Sequence, residues 1–186
     1  MQRAIASVIG QSYSNLECII VDDGSSDNTK QIFNSINDNR LVYIEHDENM
    51  GASAARNTGI KHSRGDFIAF LDDDDEWIID KLEKQVALLL KSTQNIGLIY
   101  SWMRYMKDEK ELYESNPKLK GYIFNDMLDK QAIGNSSTLL VRRRVIDTIG
   151  GFDESLPRGN DGDFIRRVCR KYEVDFIPKV LVKVYI

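Results

Sequence analysis

Apolar positions along the chain alternate between two spacings. Ala4, Ile5, Val8 and Ile9 keep the three-and-four spacing of one helix face, and Gly10 closes that run. Cys18-Ile19-Ile20-Val21 is a continuous apolar run ending in Asp22-Asp23-Gly24, the pattern of a buried strand entering a turn. The cap-rich stretch 25–29 predicts a helix through about residue 37. A second strand is expected at 41–45, a small-residue helix at 52–62 and a third strand at 67–71. An amphipathic helix follows at 79–91, with Leu82, Val86, Leu89 and Leu90 on one face. After residue 92 the pattern is less regular. Strands are expected at 97–104, 137–142, 174–177 and 180–185, and helices near 124–130, 143–149 and 162–171. The stretch 107–134 is polar and changeable.

Strands alternating with helices predict an α/β fold with a doubly wound, mostly parallel sheet flanked by helices. Ligands of such sheets bind at the carboxyl ends of the strands. One domain is expected over 1–186, with a regular half over 1–92 and a less regular half over 93–186. A doubly wound fold normally begins with a strand, whereas Met1 lies almost at the start of a helix. The expectation is therefore a lost first strand or an unusual start.

Composition narrows the classes. A hydrophobic content of 42% and a charged content of 29% over 186 residues are globular values. A net charge of -4 gives no basic footprint for nucleic acid. No apolar run reaches the roughly 18 residues that suggest a membrane span, and the first residues lack a signal peptide's apolar core. Cys18 and Cys169 lie far apart in sequence and read as reduced core residues. A cytoplasmic protein is expected, with attachment to the inner face of a membrane left open.

Candidate chemistry gathers in the acids that follow the strands. Asp72 to Asp75 come directly after the apolar run 67–71. Two unit charges about 4 Å apart repel by roughly 4 kcal/mol at an effective dielectric near 20. Such a cluster needs solvent, a protein cation or a metal, and hard oxygen ligands suit Mg²⁺ or Mn²⁺. A solvated acidic turn that also starts the next helix is the plainer alternative. Asp22 and Asp23 exceed what one turn requires and could accept hydrogen bonds from a nucleobase or a ribose. Asn49-Met50-Gly51-Ala52-Ser53-Ala54-Ala55-Arg56-Asn57 combines small residues with one arginine at a helix start, where phosphate is favoured. Arg56 could pair with a phosphate or an aspartate, or serve only as a surface cation. Trp77 reads as a core residue, and Gly150-Gly151-Phe152-Asp153 as a structural turn. Asp161 and Asp163 open a helix, as caps or as a general base. His46 and His62 read as surface residues.

Taken together, these stretches resemble the family 2 glycosyltransferases of the GT-A fold. The likeness covers 4–13, 16–29, 49–59, 65–81, 150–154 and 160–164 in order. The resemblance implies a nucleotide-sugar donor, with a lean to UDP, and a divalent cation. It implies inversion at the anomeric carbon and a glycan or lipid-linked acceptor in surface polysaccharide assembly. By resemblance Asp22 and Asp23 belong to the donor site, with Asp23 on the base. Asp72 and Asp74 hold ribose and cation, with Asp74 and Asp72 on the metal and Asp73 next in line within the donor site, and Arg56 helps the departing diphosphate. Asp161 is the implied catalytic base and Asp163 its reserve. Against this pattern the family's first strand is absent, leaving an expectation of unpaired sheet edges. A non-catalytic nucleotide- or metal-binding remnant is thus the alternative, and a homo-oligomer could complete the sheet. A nucleotidyltransferase or phosphatase finds less support, since no Gly-rich phosphate loop follows a strand.

Overall fold

The computed structural model describes residues 1–129 and 133–186. α1 (Gln2–Ile9) buries Ala4, Ile5 and Val8 and stops at Gly10. Just beyond it, Gln11 donates to the Ser7 and Ile78 carbonyls and accepts from the Leu82 N–H at 3.0 Å. One side chain thereby joins α1 to the first turn of α4 (Lys81–Lys91), where N–H groups lack helical partners.

β1 (Cys18–Asp22) and β2 (Leu41–Glu45) pair in parallel, joined by α2 (Thr29–Asn34), and α3 (Ala52–His62) packs on β1. The second sheet contains β3 (Phe67–Ala69), β4 (Glu76–Trp77), β5 (Ile96–Lys107), β6 (Lys110–Ser115), β7 (Leu140–Arg142) and β8 (Glu173–Tyr185). Its order is β3-β7-β5-β8-β4, with β6 paired to β5. α5 (Asp126–Asp129), a one-turn 3-10 helix (Ser136–Thr138), α6 (Arg143–Ile149) and α7 (Asn160–Cys169) complete the described elements.

The α/β class holds, but the larger sheet is mixed and not mostly parallel. β1–β2 and β5–β8 run parallel, whereas β3–β7, β5–β7, β4–β8 and β5–β6 are antiparallel. Parallel neighbours need a crossover of a dozen or more residues, and the regular helical crossovers end near residue 92. Beyond it, Asp108 and Glu109 adopt positive φ and turn β6 straight back along β5. The expected strands at 174–177 and 180–185 are one strand. Its pairing jumps from Ser101–Ile177 to Trp102–Val180, so the exposed Pro178 and Lys179 form a bulge.

Alternate residues of β5 and β7 serve two apolar layers. Leu98, Tyr100 and Val141 face one, and Ile99 and Leu140 face the other. Burial on both faces accounts for the unbroken apolar runs in these strands. Among the described residues the two sheets share no strand. Among the described residues β1 pairs only with β2 and β3 only with β7, so each keeps an unpaired edge, as expected.

Candidate functional site

α3 begins at Gly51, whose φ of +93° suits glycine, and its side chains reach every other part of the site. Ser53 Oγ accepts a short hydrogen bond from Asn160 at the start of α7. Arg56 Nη2 lies 2.6 Å from Asp72 Oδ1, and Nη1 lies 3.4 Å from Asp161 Oδ1. Asn57 donates to the Phe152 carbonyl at 2.9 Å and accepts from the Phe152 N–H at 2.8 Å. A Cβ on Gly151 would meet Asn57 Oδ1 at 2.1 Å, so glycine is required where this side chain enters the turn. Thr58 Oγ lies 2.9 Å from His46 Nε2.

His46 is a correction to the surface reading. Its Nδ1 sits 2.7 Å from Asp23 Oδ1, and the ring side chain is about 10% exposed. An ionised carboxylate can only accept, so Nδ1 carries a proton toward Asp23, and Nε2 meets the Thr58 hydroxyl. Asp23 also accepts from the N–H groups of Met50 at 2.9 Å and Gly51 at 2.7 Å. Burial alone would push its carboxyl up, but these bonds outweigh it and hold the group low. Asp22 is buried and accepts from Ser25 N–H at 2.8 Å and from the Tyr43 hydroxyl. It therefore braces the turn, and again the bonds to Tyr43 and Ser25 overcome burial and keep it low. The pairing of β1 and β2 could have pointed to His46, since it places the residues after Asp22 and Glu45 side by side.

β3 ends at Ala69, two residues before the expected end, because the chain then turns to meet the 3-10 helix. Asp72 N–H donates to Ser137 Oγ at 3.1 Å, and Ser136 Oγ lies 3.4 Å from Asp72 Oδ1. Asp73 is 83% exposed. Asp74 is exposed, and its main-chain carbonyl accepts from Arg3 at 2.6 Å. Asp75 is 2% exposed beside Ser137 and Asn135. Burial, then the charges of Asp72 and Asp74, push its carboxyl up to about 6.

Among the described residues no three His, Cys, Asp or Glu side chains form a ready metal cluster. The donor chemistry nonetheless fits a divalent cation. Asp72, Asp73 and Asp74 offer hard carboxylate oxygens on one loop, while Asp75 is raised by its burial first and by the charges of Asp72 and Asp74 second.

Asp161 lies in the first turn of α7 and accepts from Ser136 N–H at Oδ2, 2.8 Å away. Asp163 is engaged elsewhere. Its Oδ2 accepts from Arg167 Nε at 2.7 Å, while Arg167 also donates to the Gly151 carbonyl at 2.7 Å. The structure thus brings Asp161 to Asp72 through Arg56 and gives Asp163 to the glycine turn. Phe70, Phe152 and Phe164 fix this arrangement from beneath. Phe152 and Phe164 stack at 4.5 Å, and Phe70 meets Phe152 edge-on at 5.1 Å. Such pairs contribute about 0.5–1.5 kcal/mol each beyond area burial.

Similarity to known proteins agrees with this architecture. The model of the family described as glycosyl transferase family 2 matches residues 1–150, and the chain belongs to that family. The Escherichia coli UDP-Glc:alpha-D-GlcNAc-diphosphoundecaprenol beta-1,3-glucosyltransferase WfgD is 44% identical over 100 residues, 54% of this chain and 39% of its own. An uncharacterized glycosyltransferase of Rickettsia typhi is 32% identical over 98% of this chain and 58% of its own. The chain therefore spans well under two thirds of these relatives' length. The S. aureus TarS structure in complex with UDP-GlcNAc superposes with TM-score 0.81 at 21% identity, over 98% of this chain and 54% of that one. The mannosyltransferase PcManGT from Pyrobaculum calidifontis, in complex with GDP-Man and Mn²⁺, gives TM-score 0.70 at 19% identity, over 97% and 51%. These likenesses show the GT-A fold.

Proposed function

We propose that this chain carries the donor site and catalytic base of an enzyme that transfers a sugar, with inversion, from a UDP-sugar to a lipid-linked glycan acceptor. The observation that carries the reading is Arg56, which joins the acidic turn after β3 to Asp161 at the start of α7. The donor and acceptor classes draw on the E. coli relative, named for UDP-Glc and GlcNAc-diphosphoundecaprenol, and on TarS bound to UDP-GlcNAc.

Asp161 Oδ1 takes the acceptor hydroxyl's proton as that oxygen attacks C1 of the sugar. The bond from C1 to the diphosphate oxygen breaks with its electron pair on the leaving group, and the configuration inverts. A positioned base contributes typically about 10²–10⁴ in rate. Asp22 braces the turn that presents Asp23 to the nucleobase, and Asp72 and Asp73 line the ribose. Arg56 supplies a fixed cation to the departing diphosphate. A Mn²⁺ or Mg²⁺ ion held by Asp74 and Asp72 would add further positive charge there. The division into a nucleotide-binding half, 1–92, and an acceptor-side half, 93–186, follows from these placements.

A second reading has one observation in its favour. The unpaired edges of β1 and β3 suit a nucleotide- or metal-binding remnant without turnover. Asp161→Asn separates the two. The enzyme reading expects Asp161→Asn to lose at least about 10² in kcat while keeping its affinity for UDP, measured by calorimetry. Equal turnover in the variant removes Asp161 from the base role. Nucleotide binding without turnover by either protein favours the remnant.

A further inference from the structure

Asp161 is held by a main-chain donor at the head of an element whose last two residues sequence reading places in a strand. The turn Ser136–Thr138 has all three residues fully buried, and every carbonyl from Ser137 to Leu139 is pinned by a side chain. Trp77 Nε1 donates to the Ser137 carbonyl at 2.9 Å. Gln85 Nε2 donates to the Thr138 carbonyl at 2.8 Å. Lys81 Nζ donates to Gln85 Oε1 at 2.8 Å and lies 3.4 Å from the Leu139 carbonyl. Lys81 is completely buried 4.1 Å from the Trp77 ring centroid, and burial drives its ammonium toward the neutral amine. A neutral amine can donate here without the cost of a buried charge. Three residues of β4 and α4 thus fix a turn whose outer side faces the site.

That outer side makes two different contacts. The Ser136 N–H points at Asp161 Oδ2 at 2.8 Å, while the Ser136 hydroxyl lies at a longer 3.4 Å from Asp72. Oδ2 already gives one lone pair to a donor that cannot move, which leaves Oδ1 the better placed of the two oxygens to receive a proton. Oδ1 is also the oxygen that faces Arg56. We infer that Ser136 is the positioning residue of Asp161. Its main-chain N–H fixes which carboxylate oxygen does the chemistry and where that oxygen stands. The inference rests on the reading of Asp161 as the base. A misplacement of about 1 Å at a reacting group can cost on the order of 10² in rate, so a fixed donor matters at this position.

Ser136→Pro removes the N–H in a backbone ready for it. Asn135 has φ −80° and ψ 177°, the extended conformation that a following proline requires. Position 136 opens the 3-10 helix, where an N–H has no helical partner to lose. Turnover of UDP-glucose and UDP-GlcNAc is measured with Mn²⁺, using a GlcNAc-diphospho-lipid acceptor and water as the alternative acceptor. Ser136→Pro is expected to lower kcat by about 10–10²-fold with donor KM within about threefold of the wild type. Ser136→Ala keeps the N–H and should lose at least tenfold less. In an Asp161→Asn background Ser136→Pro should cost nothing further, because the group that it positions is already gone. Should proline unfold the protein, the serine α-hydroxy acid at 136 replaces the same N–H by an ester oxygen without added volume. Wild-type kcat in a folded Ser136→Pro or ester variant, with Asp161→Asn inactive, overturns the positioning role alone. Full turnover in Asp161→Asn, or none in the wild type, overturns the base assignment beneath it.

Discussion

Asp75 concentrates the electrostatic conflict of the acidic turn in one buried carboxyl. Its folded-state value of about 6 stands above the 3.8 of an unperturbed aspartate, chiefly through burial and then through Asp72 and Asp74. The folded protein therefore binds this proton more tightly than the unfolded chain does. The group favours folding most below about pH 4, and that contribution is lost as pH rises through about 6. Asp75→Asn keeps the shape without the charge. In metal-free buffer it should raise the thermal midpoint at pH 7, by an amount worth up to about 3 kcal/mol, and change it little at pH 4. Equal shifts at both pH values would show that charge is not the cause. Asp23 has the opposite sign, since its bonds to His46, Met50 and Gly51 hold it low. His46→Ala should therefore weaken the fold near neutral pH by roughly 1–3 kcal/mol, read from the urea midpoint at constant m. An unchanged midpoint would make that bond incidental.

At the scale of elements, the site depends on how three chain segments meet. β3 brings Phe70 just ahead of the acids, α7 brings Phe164 just after Asp161, and the glycine turn inserts Phe152 between them. Phe152→Ala should cost about 3–5 kcal/mol and loosen α7 from the acidic turn, so activity should fall before the fold is lost. A loss of stability with unchanged kcat would separate the aromatic layer from the site. Local pattern explains which elements were legible. β2, α3 and α6 have the bounds that spacing alone suggests, since caps and periodicity are carried within the segment. β4 is two residues long and forms only because β8 lies beside it. The polar β6 exists because Asp108 and Glu109 turn the chain back along β5. The acids of the site were visible as clusters at strand and helix ends. Their partners Ser136 and Ser137 were not, because a buried serine's role lies in what it faces and not in its spacing. Ser137 and Thr138 read as strand for that reason.

On the scale of the molecule, an organised loop system rests on two sheets that do not join. Asp23 and Asp72 follow β1 and β3 and Asp161 opens α7; α3 reaches the last two through Arg56, and its cap residue Gly51 donates to Asp23. No described helix is long and apolar enough to cross a membrane. On the function proposed above, these acids form a donor site completed by a divalent ion. Calorimetric titration of UDP into the protein, with and without Mn²⁺, tests it most directly when Asp74→Ala is titrated alongside. The account predicts binding that strengthens at least tenfold with Mn²⁺ in the wild type and shows no Mn²⁺ effect in the variant. Equal Mn²⁺ enhancement in both proteins would contradict it.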